Sequence, residues 1–190
     1  MAVGWKTEVQ RSRRKTISMS VGEDGVLHIK APLTVPAKVI EDFIWEKQSW
    51  IEKQYKRLRD RENEIEIQGY LSNEEIETLA GMAKRVLPGR VAYFAERIGV
   101  TYNRITIRKQ RSRWGSCSSN GNLNFNCLLM LAPSDVADYV VVHELCHRIE
   151  MNHSGRFWSL VERELPDYAK HRKWLKENGA VLMRRMTGPE

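Results

Sequence analysis

The spacing of apolar residues changes several times along the chain, and each change marks an element. Ile17, Met19 and Val21 alternate with polar residues, Asp24-Gly25 follows, and Leu27, Ile29 and Ala31 alternate again. Period two on both sides of an Asp-Gly pair predicts a β-hairpin. From Pro36 to about Arg61 the period lengthens. Val39, Ile40, Phe43, Trp50, Ile51 and Leu58 fall at helical spacing, which predicts one helix opened by the proline, with solvent on the polar face from Lys47 to Arg61. Glu62 to Tyr70 is a charge run and reads as a hinge or a loop. Ser72 and Glu75 form a capping box for a further helix, which Pro88-Gly89 should kink or split before it ends at Gly99.

Ile105 and Ile107 begin a strand, Asn120-Gly121 reads as a type I′ turn, and Leu123, Phe125 and Cys127 alternate with Asn122, Asn124 and Asn126. The expected hairpin is apolar on one face and amide-rich on the other. Bordering a cleft, such a strand would bind an extended peptide by strand addition. The same alternation also fits an ordinary half-solvated sheet strand. Pro133-Ser134-Asp135 then gives a helix start, with a proline, a capping hydroxyl and an early acid. Val136, Tyr139, Val140, Val141, Val142, Leu145, Cys146 and Ile149 make that helix apolar on nearly every side, as in a core. A last helix is opened by Pro166 and expected to end near Asn178-Gly179.

The buried helix carries His143-Glu144-Leu145-Cys146-His147. Residues at i and i+4 share a helix face, so His143 and His147 can direct ring nitrogens at one metal ion. Glu144 falls beside that ion, where it can take a proton from a water the metal has made acidic. Three unpaired polar groups in so apolar a segment would be costly without a common partner. Cys146 points away from both histidines and reads as a small core residue. A catalytic zinc needs a third protein ligand and an open position. His153 is the leading candidate, with Glu162, Glu164 and His171 as rivals. On a continuous helix His153 would lie about 240° beyond His147, so the helix must end between them. Asn152, which tolerates the left-handed conformation, could turn the chain there.

His143-Glu144-x-x-His147-x5-His153, followed by Ser154 and Arg156-Phe157-Trp158, resembles the YgjP-like metal-dependent hydrolases, a zincin group related to the SprT-like and WLM proteases. Arg111-Ser112-Arg113-Trp114-Gly115-Ser116-Cys117 matches that family's second signature, and Pro166-Asp167-Tyr168 with Trp174-Leu175 its C-terminal pattern. The resemblance covers most of the chain. It implies a zinc-dependent hydrolase of peptidase-like architecture and supplies no substrate. It also implies that Arg113 and Trp114 approach the metal site. Arg113 would stabilise an oxyanion or anchor a phosphate or carboxylate, or else pair with a structural carboxylate; Trp114 would otherwise be core. Tyr168 and His171 are further candidates for the electrophilic role, and Phe157 and Trp158 read as packing behind His153. Metzincins share the spacing but carry glycine where this chain has Glu150.

Composition adds limits. No stretch approaches the roughly 18 apolar residues of a membrane span, and the N-terminus lacks the apolar core of a signal peptide. Cys117, Cys127 and Cys146 form no C-x-x-C pair and no even framework, which favours a reducing cytoplasm. The net charge is +7. Basic clusters at Arg11, Arg13, Arg14 and Lys15, and at Arg104, Arg108, Lys109, Arg111 and Arg113, could attract nucleic acid or a nucleotide, or be solvated faces.

The expected architecture is α+β, a zincin-like metallohydrolase domain over 1–190 whose His-Glu-x-x-His helix packs on a small antiparallel sheet. Residues 1–65 form a hairpin and helix lobe, 72–178 the catalytic core and 179–190 a tail. The expected site is Zn2+ on His143, His147 and His153, with Glu144 and Arg113 catalytic and a peptide or protein as substrate. Hydrolysis of a nucleotide phosphoanhydride, a nucleic-acid-associated protease of SprT-like type, and a non-enzymatic module with structural metal are the alternatives, with a nuclease or deaminase disfavoured because the zinc deaminase motif, H-x-E with P-C-x-x-C, is absent.

Overall fold

The computed structural model describes residues 4–187. They are a mixed α+β arrangement of two small sheets and six helices, in two compact units, Met1–Ile67 and Gln68–Glu190.

In the first unit the expected hairpin forms as β2 (Ser18–Val21) and β3 (Leu27–Pro32), paired antiparallel. Asp24 helps close it by accepting the Val26 N–H at 3.0 Å. A strand the periodicity does not announce, β1 (Thr7–Ser12), pairs parallel to β3 along its other edge. All six β1 residues are exposed, so no apolar alternation marks them. The helix expected from Pro36 to Arg61 is instead two, α1 (Ala37–Glu46) and α2 (Gln48–Gln68). They are separated by Lys47, whose backbone (φ −99°, ψ 9°) leaves the helical region while its N–H is shared between the Phe43 and Ile44 carbonyls. Leu27, Ile29 and Ala31 of the sheet and Ile40 and Ile51 of the helices form this unit's core. Residues 62–68, expected as a hinge or loop, are the helical end of α2, and the helix stops at Gly69 with φ +72°.

The second unit opens with α3 (Asn73–Ile98), held by the expected capping box. Ser72 accepts the Glu75 N–H, and the Glu75 carboxylate accepts the Ser72 N–H at 2.7 Å. Pro88 does not split it: the helix runs on through the proline, with Leu87 and Val91 on either side fully buried. Gly99 ends it in the left-handed conformation.

The second sheet is β4 (Arg104–Arg108), β5 (Gly115–Cys117) and β6 (Asn122–Asn126), in the order β4-β6-β5. It is mixed, not antiparallel: β4 lies parallel to β6, and only β5 and β6 form a hairpin. The turn is not type I′ either, because Gly121 alone carries positive φ, and its N–H closes the turn on the Ser118 carbonyl at 2.8 Å. This leaves β6 central, with both edges paired. Its amides are largely spent inside the fold. Asn126 is fully buried, donates to the Gln110 and Arg113 carbonyls at 2.7 and 2.9 Å, and caps the following 3₁₀ turn, Cys127–Leu131, through the Leu128 N–H. Asn124 donates to Ser116. The amide face is therefore not a free groove, and the edge strand that packs beside the histidine helix is β5.

Then come α4 (Ser134–Cys146), α5 (Gly155–Glu164) and α6 (Tyr168–Thr187). Pro133 takes the N-cap position of α4 without a side-chain cap, and Asp135, not Ser134, accepts a main-chain proton there, from Val136. Arg90 ties α3 to α4 through two bonds to Asp138, at 2.7 and 2.6 Å. The last helix does not end at Asn178-Gly179. Gly179 is buried within it, and a Cβ built there would stand 3.1 Å from Trp114 Nε1. The glycine permits close packing against Trp114, and residues 179–187 are helix, with Val181 and Leu182 buried. Among the described residues no helix is long and apolar enough to cross a membrane.

Candidate metal centre

His143 lies in the last turn of α4, and His147 is its C-cap residue. The helix therefore stops at the second histidine. Main-chain bonds from Arg148 to Leu145 and from Ile149 to Cys146 tighten its final turn. Among the described residues no non-glycine has positive φ, so Asn152 does not turn the chain by the left-handed route expected of it. The reversal is completed by Ser154, which caps α5 by accepting the Phe157 N–H. Arg148 fastens this end of α4 to the rest of the unit, donating to the Thr101 carbonyl at 3.0 Å and to the Ser119 carbonyl at 2.8 Å.

These turns bring His143, His147 and His153 together, each with a ring nitrogen within 4.8 Å of the others'. His143 Nε2 and His153 Nε2 face each other at 3.0 Å. Imidazole nitrogens held about 2.0–2.1 Å from a tetrahedral zinc would stand about 3.3–3.4 Å apart, close to this separation. His147 Nδ1 is 3.0 Å from the Glu150 carbonyl, which can only accept, so Nδ1 carries the proton and Nε2 keeps its lone pair for a ligand. The donor set fits a divalent metal ion.

Phe157 is the floor of the cluster. It is fully buried, and its ring centroid lies 4.9, 4.5 and 4.8 Å from those of His143, His147 and His153. The expected packing role is thus wider than holding His153. Burial pushes the His143 imidazole down to about 3, helped by the neighbouring charges of His147, His153 and Arg172. His147 is lowered too, first by burial. Both rings are therefore neutral at physiological pH, as ligation requires.

Glu144 is 5% exposed, and burial pushes its carboxyl up to about 8. It lies under β5, where a Cβ on Gly115 would stand 2.6 Å from its Oε1. Cys146 is fully buried, with its thiol pushed up to about 12 by burial, as suits a core residue.

The other candidates are placed elsewhere. Glu162 is exposed. Glu164 accepts from Arg97 at 3.0 Å. His171 sits between Asp135 and Asp167, 3.4 Å from each. The Arg113 side chain is exposed and forms no hydrogen bond with the histidines among the described residues; its carbonyl is what Asn126 holds. Trp114 packs against the core and Gly179. Tyr168 stacks on Trp158, which lies against His143 and His153. Sequence reasoning passed over Tyr139 and Arg172. Tyr139 is one turn before His143, with ring centroids 5.9 Å apart, and burial pushes its hydroxyl up to about 12. Arg172 lies over the Trp158 ring. A tyrosine in an apolar helix and one arginine in a basic one carry no distinguishing pattern.

Two histidines at the end of α4 and a third just before α5, with a buried carboxylate between the first two, make a donor set that could hold a metal ion. The chain matches the family model described as YgjP-like, metallopeptidase domain, over residues 15–82 and 73–178, and it belongs to that family. A solved structure with some likeness is the crystal structure of the metallopeptidase zymogen of Pyrococcus abyssi abylysin, at 17% identity and a TM-score of 0.44, covering 48% of this chain and 94% of that one. No curated protein matches the chain.

Proposed function

We propose that this protein is a zinc-dependent peptide hydrolase in which His143, His147 and His153 hold the metal and Glu144 is the general base. The observation that carries the reading is the convergence of His143 Nε2 and His153 Nε2 at 3.0 Å beside a His147 ring fixed by the Glu150 carbonyl. A zinc ion held there would supply Lewis acidity, making water far more acidic and polarising a carbonyl.

The chain supplies the rest. Glu144, boxed in by Gly115, accepts the proton of the attacking water and passes it to the leaving amine. Protein burial raises its basicity, and a nearby divalent charge would hold it ionised at neutral pH. The free edge of β5 offers main-chain groups to an extended peptide, which would set its bonds across the cleft without demanding particular side chains. Arg113 is proposed as an electrophilic partner reaching in from the segment before β5; Arg113→Ala should lower turnover while leaving zinc content unchanged.

The test is a paired screen of peptides and nucleoside triphosphates with the zinc-loaded protein and Glu144→Gln. The variant should keep its zinc and lose roughly two to four orders of magnitude in peptide turnover. Cleavage of triphosphates that needs both zinc and Glu144, with no peptide cleaved, would replace the peptide by a nucleotide. Equal turnover by the variant would remove Glu144 from the mechanism.

A further inference from the structure

Trp158, half-buried on α5, is the wall between the histidine cluster and α6. Its ring centroid is 5.9 Å from that of His143 and 5.8 Å from that of His153. Tyr168 stacks on it at 5.4 Å with the planes 18° apart, and so fixes its plane. Arg172, one helical turn beyond Tyr168, sets its guanidinium carbon 4.5 Å from the centre of the same indole.

This arginine differs from the others near the core. Arg90 is joined to Asp138, Arg97 to Glu164, and Arg148 to two carbonyls. Arg172 is exposed, and among the described residues no carboxylate pairs with it and no carbonyl accepts from it. Its charge nevertheless sits beside the site, because the ring it lies over is the one that packs against His143 and His153. A guanidinium over an indole is attracted by the ring, which offers it no oxygen acceptor for its five N–H donors. Those donors point outward in the guanidinium plane and match the two oxygens of a carboxylate or phosphate. The fold thus spends an aromatic stack to hold a cation beside the ligand cluster and gives it no internal anion.

We propose that Arg172 is a specificity-determining residue, binding an oxyanion group of the substrate, a carboxylate or a phosphate, beside the three-histidine centre. This rests on the hydrolase reading above. A C-terminal or acidic side-chain carboxylate would be its partner on a peptide, and a phosphate its partner on a nucleotide.

The experiment compares wild type, Arg172→Lys and Arg172→Gln, each metal-free and zinc-loaded. Acetate and inorganic phosphate are titrated while the arginine Nε–H resonances are followed by NMR, the Arg172 signal being the one absent from both variants. The Arg172 signal should move with at least one anion in the metal-free protein, and Arg172→Gln should weaken that anion's binding by about ten-fold or more, with Arg172→Lys between. On zinc-loaded protein, peptides with free and amidated C-termini, with and without a flanking acidic residue, and nucleoside triphosphates then separate the two sources. In the substrate class that uses Arg172, the glutamine variant should raise KM for the anionic member and leave that of its neutral counterpart unchanged. If neither anion moves the Arg172 signal and the glutamine variant binds both as wild type does, the proposal is overturned and the arginine only packs on Trp158. Zinc content is read separately. Failure of all three proteins to hold zinc would overturn the metal reading, while the metal-free titration still decides the anion site.

Discussion

Gly115 and Glu144 are in contact across two elements: a Cβ at residue 115 would fall 2.6 Å from the glutamate Oε1 and 2.8 Å from its Cγ. The absence of a side chain on β5 is what lets the edge strand pass over the carboxylate of α4. Because Cγ as well as the carboxylate tip is involved, and Glu144 is buried, rotating the end of the side chain does not relieve the clash. Gly115→Ala should therefore move Glu144 or lift β5, at a cost of about 1–3 kcal/mol in stability. Zinc content should stay near wild type while turnover falls by about ten-fold or more, toward the Glu144→Gln level. Denaturant unfolding, metal analysis and a rate measurement check this together. Wild-type turnover in the alanine variant would show that the contact does not position the carboxylate.

Phe157 touches all three histidine rings and is wholly enclosed, so its removal acts on the cluster as a unit. Phe157→Ala should cost about 3–5 kcal/mol of stability in the metal-free protein. Zinc affinity should fall about 10–100-fold, the range for lost support of ligand side chains. Phe157→Leu, which refills most of the space, should recover much of both. If zinc affinity survives the alanine variant unchanged, the rings are held by their own helices and not by this floor.

What could be read from the sequence was whatever is encoded locally. The Asp24-Gly25 hairpin, the Ser72/Glu75 box and the Gly99 stop each rest on side-chain or turn chemistry within a few residues, and the structure has all three. The strands that lie parallel to their neighbours behaved differently. Neither β1 beside β3 nor β4 beside β6 is joined to its partner by a turn, so no local signal states the pairing. Glycine is ambiguous as a local signal. Gly179 carries the same letter as a helix stop, yet it serves a contact with Trp114, which lies 65 residues earlier and is visible only when folded. At the site, the i, i+4 histidines were legible because helix geometry alone aligns them. Phe157 as common floor and Arg172 over Trp158 were not, since each depends on how α5 and α6 return across α4.

The metal-free protein should show a pH dependence set by two buried groups acting in opposite directions. Glu144 rises from its ordinary 4.5 to about 8 in the fold, so between those values the native state binds more protons, and its contribution to stability is lost as pH rises. His143 falls from 6.5 to about 3, so between those values the unfolded state binds more protons, and stability is lost as pH falls. The two slopes oppose each other between 4.5 and 6.5 and leave Glu144 alone above that. Glu144→Gln should therefore make the metal-free protein more stable than wild type at pH 8 to 9, on the order of a few kcal/mol, and remove the decline between pH 6.5 and 8. Chemical unfolding of both proteins across pH 5 to 9 in chelator, on the order of one pH unit per step, measures it. Parallel pH profiles for the two would mean that Glu144 is not the buried acid responsible.

The third ligand is the last point on which alternatives compete, and the structure gives each a distinct mutant phenotype. His153 faces His143 across 3.0 Å and has no other hydrogen-bond partner among the described residues. Glu164 is held by Arg97, and His171 by Asp135 and Asp167, so both have structural work to do. His153→Ala should lower zinc affinity by orders of magnitude, as should His143→Ala and His147→Ala, with little change in the stability of the metal-free protein because residue 153 is exposed. Glu164→Ala and His171→Ala should do the reverse, reducing stability while keeping about one zinc per chain. Glu162→Ala, on an exposed position, should change neither. Competition titrations against a chelator of known affinity, paired with thermal unfolding in excess chelator, separate the two effects. Zinc affinity retained by His153→Ala and lost by Glu164→Ala or His171→Ala would move the third ligand to that residue, and would require α5 or α6 to shift toward His143 when the metal binds.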